Sequence, residues 1–185
     1  MSERSEIRLA GYGGQGIIRA GYIIGQAAAI FDHKNATFTQ DYGPEARGGA
    51  CRADVVVSAG RLLYPYMEAP SVLVAMSQAA YDRYSAETRP DTLVIIDADM
   101  VKPRETGQRL LSVPARRIAD ELGRAAVTNV VMLGFLAAVT DAVSAEAMKE
   151  AVLASVPKNT RELNLQAFER GYEHGRQKAN AERQV

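Results

Sequence analysis

The chain has 185 residues, which is enough for one domain with a substantial core and too few for a second domain of ordinary size. Lysine plus arginine and aspartate plus glutamate number 22 each, so the zero net charge provides no field that would attract nucleic acid or an anionic membrane. The single cysteine, Cys51, excludes an internal disulfide and cannot by itself hold an iron–sulfur cluster or a structural zinc ion.

The N-terminus is polar, and no apolar run approaches about 18 residues, so we expect neither a signal peptide nor a membrane-spanning helix. The lone cysteine fits a reducing cytoplasm. Residues 1–185 are therefore predicted to form a single cytoplasmic domain without a membrane or nucleic-acid partner.

The first predicted strand, residues 7–10, leads into a glycine-rich turn and then into an apolar helix from Ile17. Strand, turn and helix are the opening half of a βαβ unit. The turn satisfies G-x-G-x-x-G, which permits a tight bend, close approach of a ligand or second backbone, and an anion at the helix start. Its residues are Gly11, Gly13, Gly14, Gln15 and Gly16.

A dinucleotide-binding fingerprint also needs an acidic residue at the end of the second strand, which we predict at residues 36–39. Asp32 precedes that strand, and Asp41 follows it in a predicted loop. The fingerprint is therefore incomplete. The glycines are equally suited to binding an anion and to packing the turn against a neighbouring element.

A second glycine-rich loop is predicted over residues 41–50, where three glycines, a proline and three charged residues favour no regular structure. Glu45, Arg47 and Arg52 suit contact with an anion or carboxylate. The alternative is a local Glu45–Arg47 ion pair beside a solvated Arg52, which would contribute little stability. The surrounding glycines make us favour an interaction surface.

Residues 52–58 alternate as a strand does, and Ala59-Gly60 predicts a tight turn into residues 61–64, giving an antiparallel hairpin. Continuous apolar runs at residues 71–76 and 92–96 predict strands covered on both faces, as in a parallel sheet between helix layers. Asp97 and Asp99 follow the second run, either as turn formers and caps or as the lining of a crevice.

A further short strand is predicted at residues 109–113, followed by a helix from Pro114. The last third is predicted to be helical, with N-caps at Thr128 and Ser144 and a final helix over residues 159–178. Gly134 would allow another element to approach closely. The pattern predicts a three-layer α/β/α, Rossmann-like domain with a mainly parallel, mixed sheet and a helical C-terminal third.

Few groups suit catalysis. His33 and His174 are predicted to be solvated surface residues, and Cys51 to be a small buried hydrophobe. No G-x-S-x-G, C-x-x-C, H-E-x-x-H or Walker lysine motif is present. The two glycine loops are therefore expected to position backbone, to bind a phosphate-like group or to contact a partner.

Four stretches together resemble the gamma subunit of the 2-oxoacid:ferredoxin oxidoreductases, and the resemblance covers nearly the whole chain. They are residues 13–16 after a strand, 42–49 before a strand, 128–134 and 159–168. The double glycine Gly48-Gly49 after Arg47 looks most like the 2-oxoglutarate type. The pyruvate, branched-chain and aryl-oxoacid types remain open.

The resemblance implies an enzyme that decarboxylates a 2-oxoacid on thiamine diphosphate, passes the acyl group to coenzyme A and sends electrons through iron–sulfur clusters to ferredoxin. It implies that thiamine diphosphate, Mg²⁺ and the clusters belong to alpha and beta subunits, with or without a ferredoxin-like delta subunit. This chain alone would then bind no cofactor and be inactive by itself. Its role would be structural, assisting coenzyme A binding or closure of the active site.

The same resemblance implies that both glycine loops face coenzyme A or partner subunits, with no catalytic or metal-binding residue in the chain. The residues concerned are Gly11, Gly13, Gly14, Gln15, Gly16, Tyr42, Gly43, Pro44, Glu45, Arg47, Gly48, Gly49 and Arg52. Two alternatives remain: a free-standing dinucleotide-binding oxidoreductase, suggested by the first glycine turn, and a module that senses a phosphorylated metabolite.

Overall fold

A computed structural model describes residues 4–42, 50–104 and 107–182. Within these ranges, one sheet contains β1 (Arg4–Tyr12), β2 (Asn35–Tyr42), β3 (Ala50–Ser58), β4 (Val72–Ala75), β5 (Leu93–Asp97) and β6 (Leu110–Val113). The spatial order is β2-β3-β1-β4-β5-β6. Strands β1, β4, β5 and β6 are parallel, whereas β3 is antiparallel to both β1 and β2. The predicted mixed sheet is confirmed.

The helices form layers on both faces of the sheet. They are α1 (Ile17–Gln26), which continues as a π-helical turn over Ala27–Phe31, α2 (Gln78–Tyr84), α3 (Ala115–Glu121), α4 (Thr128–Val139), α5 (Ala145–Ser155) and α6 (Arg161–Glu182). Helix α2 packs on one face, and the other five helices share a larger core with the opposite face. Of the helices in the described ranges, none is long and apolar enough to cross a lipid bilayer.

The predicted hairpin over residues 52–64 is wrong. Strand β3 is already paired with β1 on one side and with β2 on the other. Residues 61–64 therefore have no free edge of β3 to pair with, and they form an irregular segment. Side chains hold it instead: the Arg4 guanidinium donates to the carbonyls of Tyr64 and Tyr66 at 3.2 and 3.0 Å.

The two ends of the predicted second glycine loop belong to strands. Strand β2 continues through Asp41 and Tyr42, and β3 begins at Ala50. Asp41 is therefore a strand residue, opposite Arg52, and not a loop residue. Cross-strand pairing with β3 overrides the low strand propensity of this segment.

The two predicted N-caps have different outcomes. Thr128 is the first residue of α4 and its hydroxyl donates to the Ala125 carbonyl at 2.7 Å, because a 3₁₀ turn over Ala125–Val127 leads directly into the helix. Ser144 is confirmed as the cap of α5, since its hydroxyl accepts the N–H of Ala147 at 3.1 Å.

Helices α4 and α6 approach each other through glycines. A Cβ atom at Gly134 would lie 2.1 Å from the carbonyl oxygen of Phe168, and one at Gly171 would lie 2.0 Å from that of Val131. The predicted close approach at Gly134 is therefore confirmed as direct backbone contact. Residues 128–137 of α4 are all buried as a result.

Asp32 connects the end of the π-helical turn with the start of α5. Its carboxylate accepts the backbone N–H and the hydroxyl of Ser144 at 2.7 and 2.6 Å, and the ammonium of Lys34 lies 3.5 Å away. Partial burial acts to raise the pKa of Asp32, but the Ser144 hydrogen bonds and the Lys34 charge outweigh it and hold the pKa below its ordinary value of 3.8.

We expect Gly134→Ala to lower the free energy of unfolding by about 3 kcal/mol, because the added methyl group overlaps backbone that cannot rotate away. Gly25→Ala is the matched control in α1, where the nearest atom to the new Cβ is the Cβ of Phe38 at 3.8 Å. It should raise the free energy by about 0.5–1 kcal/mol through helix propensity. Urea denaturation measures both, and equal effects would contradict the close contact.

We expect Asp32→Asn to lower the free energy of unfolding at pH 7 by about 1.5–3 kcal/mol, the range for hydrogen bonds to charged groups. A folded-state pKa below 3.8 means that the carboxylate stabilises the fold above that pH and that this contribution is lost as the pH falls through the lowered pKa. The difference between parent and variant should therefore shrink below pH 3.8.

The control for this titration is Asp141→Asn. Asp141 is exposed and has no hydrogen bond or ion pair within the described residues, so its replacement should change stability by less than about 0.5 kcal/mol at either pH. A pH-independent difference for Asp32→Asn would contradict the role of the carboxylate charge.

Candidate functional site

Both predicted glycine loops emerge at the same end of the strands. Gly11 and Tyr12 are the last residues of β1, and residues 13–16 form the turn into α1. Because β3 runs antiparallel to β1, its first residue, Ala50, lies directly opposite Tyr12. Strand β2 ends at the same level, with Tyr42 opposite Cys51. We call residues 11–16, Tyr42 and 50–52 the glycine edge; it is the end of the sheet at which β1 finishes, and it differs from the sheet's two edge strands, β2 and β6.

Part of the second loop lies outside the described residues. These predicted site residues are Gly43, Pro44, Glu45, Arg47, Gly48 and Gly49. The strand residues that flank them, Tyr42 and Ala50, belong to the glycine edge, so the loop begins and ends beside the first glycine turn.

Gln15 fixes the first turn with both ends of its amide. Its Oε1 accepts the N–H of Tyr12 at 2.7 Å, and its Nε2 donates to the carbonyl of Met76, just beyond β4, at 2.8 Å. A Cβ atom at Gly11 would lie 2.4 Å from Gln15 Oε1. Glycine at position 11 therefore leaves space for the Gln15 side chain, which links the turn to the end of β4.

Gly16 is held by a residue of α4 that lies 113 positions further along the chain. Its φ is +75°, in the left-handed region, and a Cβ atom there would lie 2.4 Å from Nδ2 of Asn129. That Nδ2 atom donates to the Gly16 carbonyl at 3.3 Å. The sequence analysis assigned Asn129 no role, and its position next to Thr128 in a stretch shared with the resembled family was the only available signal.

The start of α1 faces the glycine edge without a capping side chain. Its N-cap residue is Gly16, and the first turn of the helix carries no acidic residue. Gly14 has a φ of +97° and nothing within 4 Å of an added Cβ. Backbone N–H groups at a helix start of this kind can face an anionic group.

Arg52, predicted either to contact an anion or to be solvated, is held in an ion-pair network at the base of the second loop. Its Nε lies 3.5 Å from Oδ2 of Asp41 on β2 and 3.9 Å from Oδ2 of Asp54 on β3. Its guanidinium carbon lies 6.0 Å from the centre of the Tyr84 ring. The contact with Asp41 joins the two strands that flank residues 43–49.

The position of Asp41 also weakens the dinucleotide hypothesis. In a dinucleotide-binding fold the acidic residue lies on the strand beside the glycine turn. Here β3 separates β2 from β1, and the carboxylate of Asp41 is already paired with Arg52. No observation on this edge supports a ribose-binding acid.

A buried ion pair lies on the α2 face of the sheet behind this edge. The guanidinium of Arg8 donates to both carboxylate oxygens of Asp54 at 2.8 and 2.9 Å and to Glu87 at 2.9 Å. Burial acts to lower the pKa of Arg8, but the hydrogen bonds and charge of Asp54 raise it above its ordinary value. The Tyr84 ring lies against the same guanidinium at 5.2 Å.

A crevice of about 190 Å³ lies at the carboxyl ends of the parallel strands, between the glycine turn, the end of β5 and the starts of α3 and α4. The fully buried Asp97 lines it and accepts the N–H groups of Asp99 and Arg116, each at 3.1 Å. Burial raises the pKa of Asp97, although those N–H groups act against it. Asp97 is therefore both a cap and part of a crevice wall, which joins the two predicted roles.

The remaining reactive groups do not assemble a catalytic centre within the described residues. Cys51 is confirmed as buried, and burial raises the pKa of its thiol, which disfavours the nucleophilic thiolate. His174 is half-buried against Phe135 and not solvated as predicted, and burial together with nearby Lys178 and Arg117 lowers its pKa. No cluster of three potential metal ligands occurs in this part of the chain.

Comparison with known proteins gives whole-chain matches. The model of the pyruvate ferredoxin/flavodoxin oxidoreductase family matches residues 6–174. The 2-oxoglutarate synthase subunit KorC of Methanocaldococcus jannaschii is 48% identical over 174 residues, which are 92% of this chain and 93% of that protein. A crystal structure of the gamma subunit of a keto/oxoacid ferredoxin oxidoreductase from Geobacter sulfurreducens has a TM-score of 0.83 and 39% identity, covering 92% of this chain and 98% of that one.

A longer relative contains the same fold. The 2-oxoglutarate:ferredoxin oxidoreductase from Magnetococcus marinus, solved with 2-oxoglutarate, coenzyme A and succinyl-CoA bound, has a TM-score of 0.87 and 25% identity. The match covers 96% of this chain and 32% of that one. In that protein the fold is thus one part of a larger chain.

We expect Gly16→Ala to destabilise the protein by about 3 kcal/mol, combining about 1–2 kcal/mol of left-handed backbone strain with the overlap against Asn129. In an Asn129→Ala background the overlap disappears, so the same substitution should cost only about 1–2 kcal/mol. Gly14→Ala, which is strained but unobstructed, should cost the same in both backgrounds. Additive effects of Gly16→Ala and Asn129→Ala in urea denaturation would contradict the contact.

Proposed function

Since the chain belongs to the pyruvate ferredoxin/flavodoxin oxidoreductase family, we propose that it is the gamma subunit of a 2-oxoglutarate:ferredoxin oxidoreductase. The observation that carries the proposal is the 48% identity with a 2-oxoglutarate synthase subunit along almost the full length of both chains. The complex converts 2-oxoglutarate, coenzyme A and oxidised ferredoxin into succinyl-CoA, carbon dioxide and reduced ferredoxin.

Within this complex the chain supplies structure and leaves the chemistry to its partners. Its only cysteine is buried, and its described residues bring together no nucleophile with a base. Thiamine diphosphate, Mg²⁺ and the iron–sulfur clusters then belong to alpha and beta subunits, with or without a ferredoxin-like delta subunit. The isolated chain is inactive, binds none of these groups and resides in the cytoplasm.

The glycine edge is the surface of this chain that faces coenzyme A or a partner subunit. It combines an uncapped helix start, an unobstructed Gly14 and exposed tyrosine rings at positions 12 and 42. Such a surface offers N–H groups for phosphate oxygens and aromatic faces for a planar base or a partner side chain. Beside this surface, the ion pair between Arg52 and Asp41 joins the two strands that flank residues 43–49.

Purification of a tagged chain from its host tests the assignment. We expect larger thiamine-diphosphate-binding and cluster-bearing chains to co-purify, and we expect the eluate to reduce a viologen dye with 2-oxoglutarate only when coenzyme A is present. Pyruvate, branched-chain and aryl 2-oxoacids are the comparison substrates. A chain that elutes alone and inactive would overturn the proposal, and preference for another oxoacid would overturn the substrate.

The contact with coenzyme A is tested at Gly14, whose exposed left-handed position tolerates Asn and Asp better than other residues. Gly14→Asp places a negative charge beside the helix start, and Gly14→Asn is the neutral control of nearly equal shape. If phosphates of coenzyme A lie here, the Asp variant should raise KM for coenzyme A at least tenfold over the Asn variant, with KM for 2-oxoglutarate unchanged.

A contact of Gly14 with a partner subunit predicts a different result. If both variants reduce co-purification of the larger subunits to the same extent and leave KM for coenzyme A unchanged, the edge contacts a partner and not the cofactor. Calorimetry of the isolated chain with millimolar NADH should detect no binding, whereas tight binding would favour the dinucleotide hypothesis.

A further inference from the structure

The two edges of the sheet are unequal. Strand β6 forms one edge, is four residues long and lies against α6, with an ion pair between Arg109 and Glu182 beside it. Strand β2 forms the other edge and is eight residues long, about 26 Å at the usual rise per residue. It contains no proline, and its only charged side chain, Asp41, is paired with Arg52. Edge strands without such protection are templates for another strand.

The hydrogen-bonding pattern identifies which backbone groups of β2 point away from β3. In β1, the carbonyls of Glu6 and Ala10 accept N–H groups from the β4 side of the chain, so even-numbered residues face β4 and odd-numbered residues face β3. The two antiparallel registers carry this alternation across β3 to β2. Odd-numbered residues of β2 therefore pair with β3. The outward-facing residues are Ala36, Phe38, Gln40 and Tyr42.

An apolar groove of about 550 Å³ accompanies this edge. Ile18 and Tyr22 of α1, together with Phe38 and Gln40 of β2, form much of its lining. Tyr22 is 55% exposed, and its ring meets the Phe38 ring edge to face at 6.4 Å. The open backbone groups and an exposed aromatic side chain thus lie on one continuous surface.

We propose that β2 pairs antiparallel with β2 of a second copy of this chain, around a two-fold axis at Phe38. Outward-facing residues must oppose each other in such a pair, and centring on Phe38 places Phe38 opposite Phe38 and Ala36 opposite Gln40. The pairing forms about six backbone hydrogen bonds between the copies. Two six-stranded sheets become one continuous sheet.

The side chains of β2 are compatible with this self-pairing. The register places Thr37 opposite Thr39 and the acidic Asp41 opposite the neutral Asn35, so no like charges meet. The zero net charge of the chain adds no repulsion between copies. A two-fold axis also brings the Tyr22 and Phe38 rings of both copies together, so that each copy covers the groove of the other.

Site-specific disulfides test the register. Residues opposite each other in a hydrogen-bonded pair have Cα atoms about 5.5 Å apart, within the range that a disulfide spans. A mixture of full-length Ala36→Cys and Gln40→Cys chains should therefore give, on mild oxidation, a reducible species of twice the 20.0 kDa chain mass. Each variant alone should not, since the same residue in the two copies is about 14 Å apart.

Further controls use the parent chain and the assembled enzyme. The parent retains only the buried Cys51 and should give no such species. The oxidation is repeated on the complex purified from the host that carries both variants. A disulfide of this chain with a larger subunit, or no disulfide in either sample, would overturn the proposal; the first result would assign the edge to a strand of that subunit.

Sedimentation of backbone variants gives an independent measurement. Gln40→Pro removes an outward-facing N–H group and leaves the ladder with β3 intact, whereas Gln40→Val keeps that N–H group. We expect the full-length parent chain to form dimers, and we expect Gln40→Pro to raise the dimer dissociation constant at least tenfold over Gln40→Val with an unchanged melting temperature of the monomer. A parent that is monomeric at about 100 μM, or equal constants for the two variants, would overturn the proposal.

Discussion

The close backbone contact between α4 and α6 is the constraint on which the rest of the structure depends. Glycines at positions 134 and 171 let the two helices approach to a distance that no Cβ atom would allow, and α4 is consequently buried on all sides. This fixes the N-terminal end of α4, where Asn129 donates to the carbonyl of Gly16. Packing in the C-terminal third therefore holds the glycine turn near the N-terminus in its shape.

Strand β3 is the second organising feature, because it lies between the two strands that lead into the glycine loops. Its antiparallel direction brings its first residues to the carboxyl end of β1, so both loops emerge at the glycine edge. The same strand carries Asp54, whose carboxylate neutralises the buried Arg8 through two hydrogen bonds. Removing one partner of such a pair leaves an uncompensated buried charge, which makes the pairing of β1 with β3 hard to rearrange.

The assembled edge explains how a chain with few reactive groups can belong to an oxidoreductase family. Glycines, a helix start without a capping side chain and exposed tyrosine rings form this surface, and among its described residues the charged Arg52 is paired with Asp41. In the proposed function, such a chain contributes geometry, and the partner subunits hold the cofactors. The side of β2 that faces away from β3 is a second surface, and it meets the glycine edge at Tyr42.

The sequence alone determined the elements with strong local signals. Apolar runs, the glycine turn and the Ser144 cap predicted the strands, the first helix and the layered α/β class correctly, because these depend on neighbouring residues. The residue patterns of the two glycine loops and of two stretches in the C-terminal half also led to the correct family. Only the tertiary structure decided the partner of each strand: pairing of β3 with both β1 and β2 excluded the expected hairpin at residues 52–64 and drew Asp41 into a strand. Contacts such as Asn129 with Gly16 join residues more than 100 positions apart, and no local pattern encodes which distant side chain will fill that space.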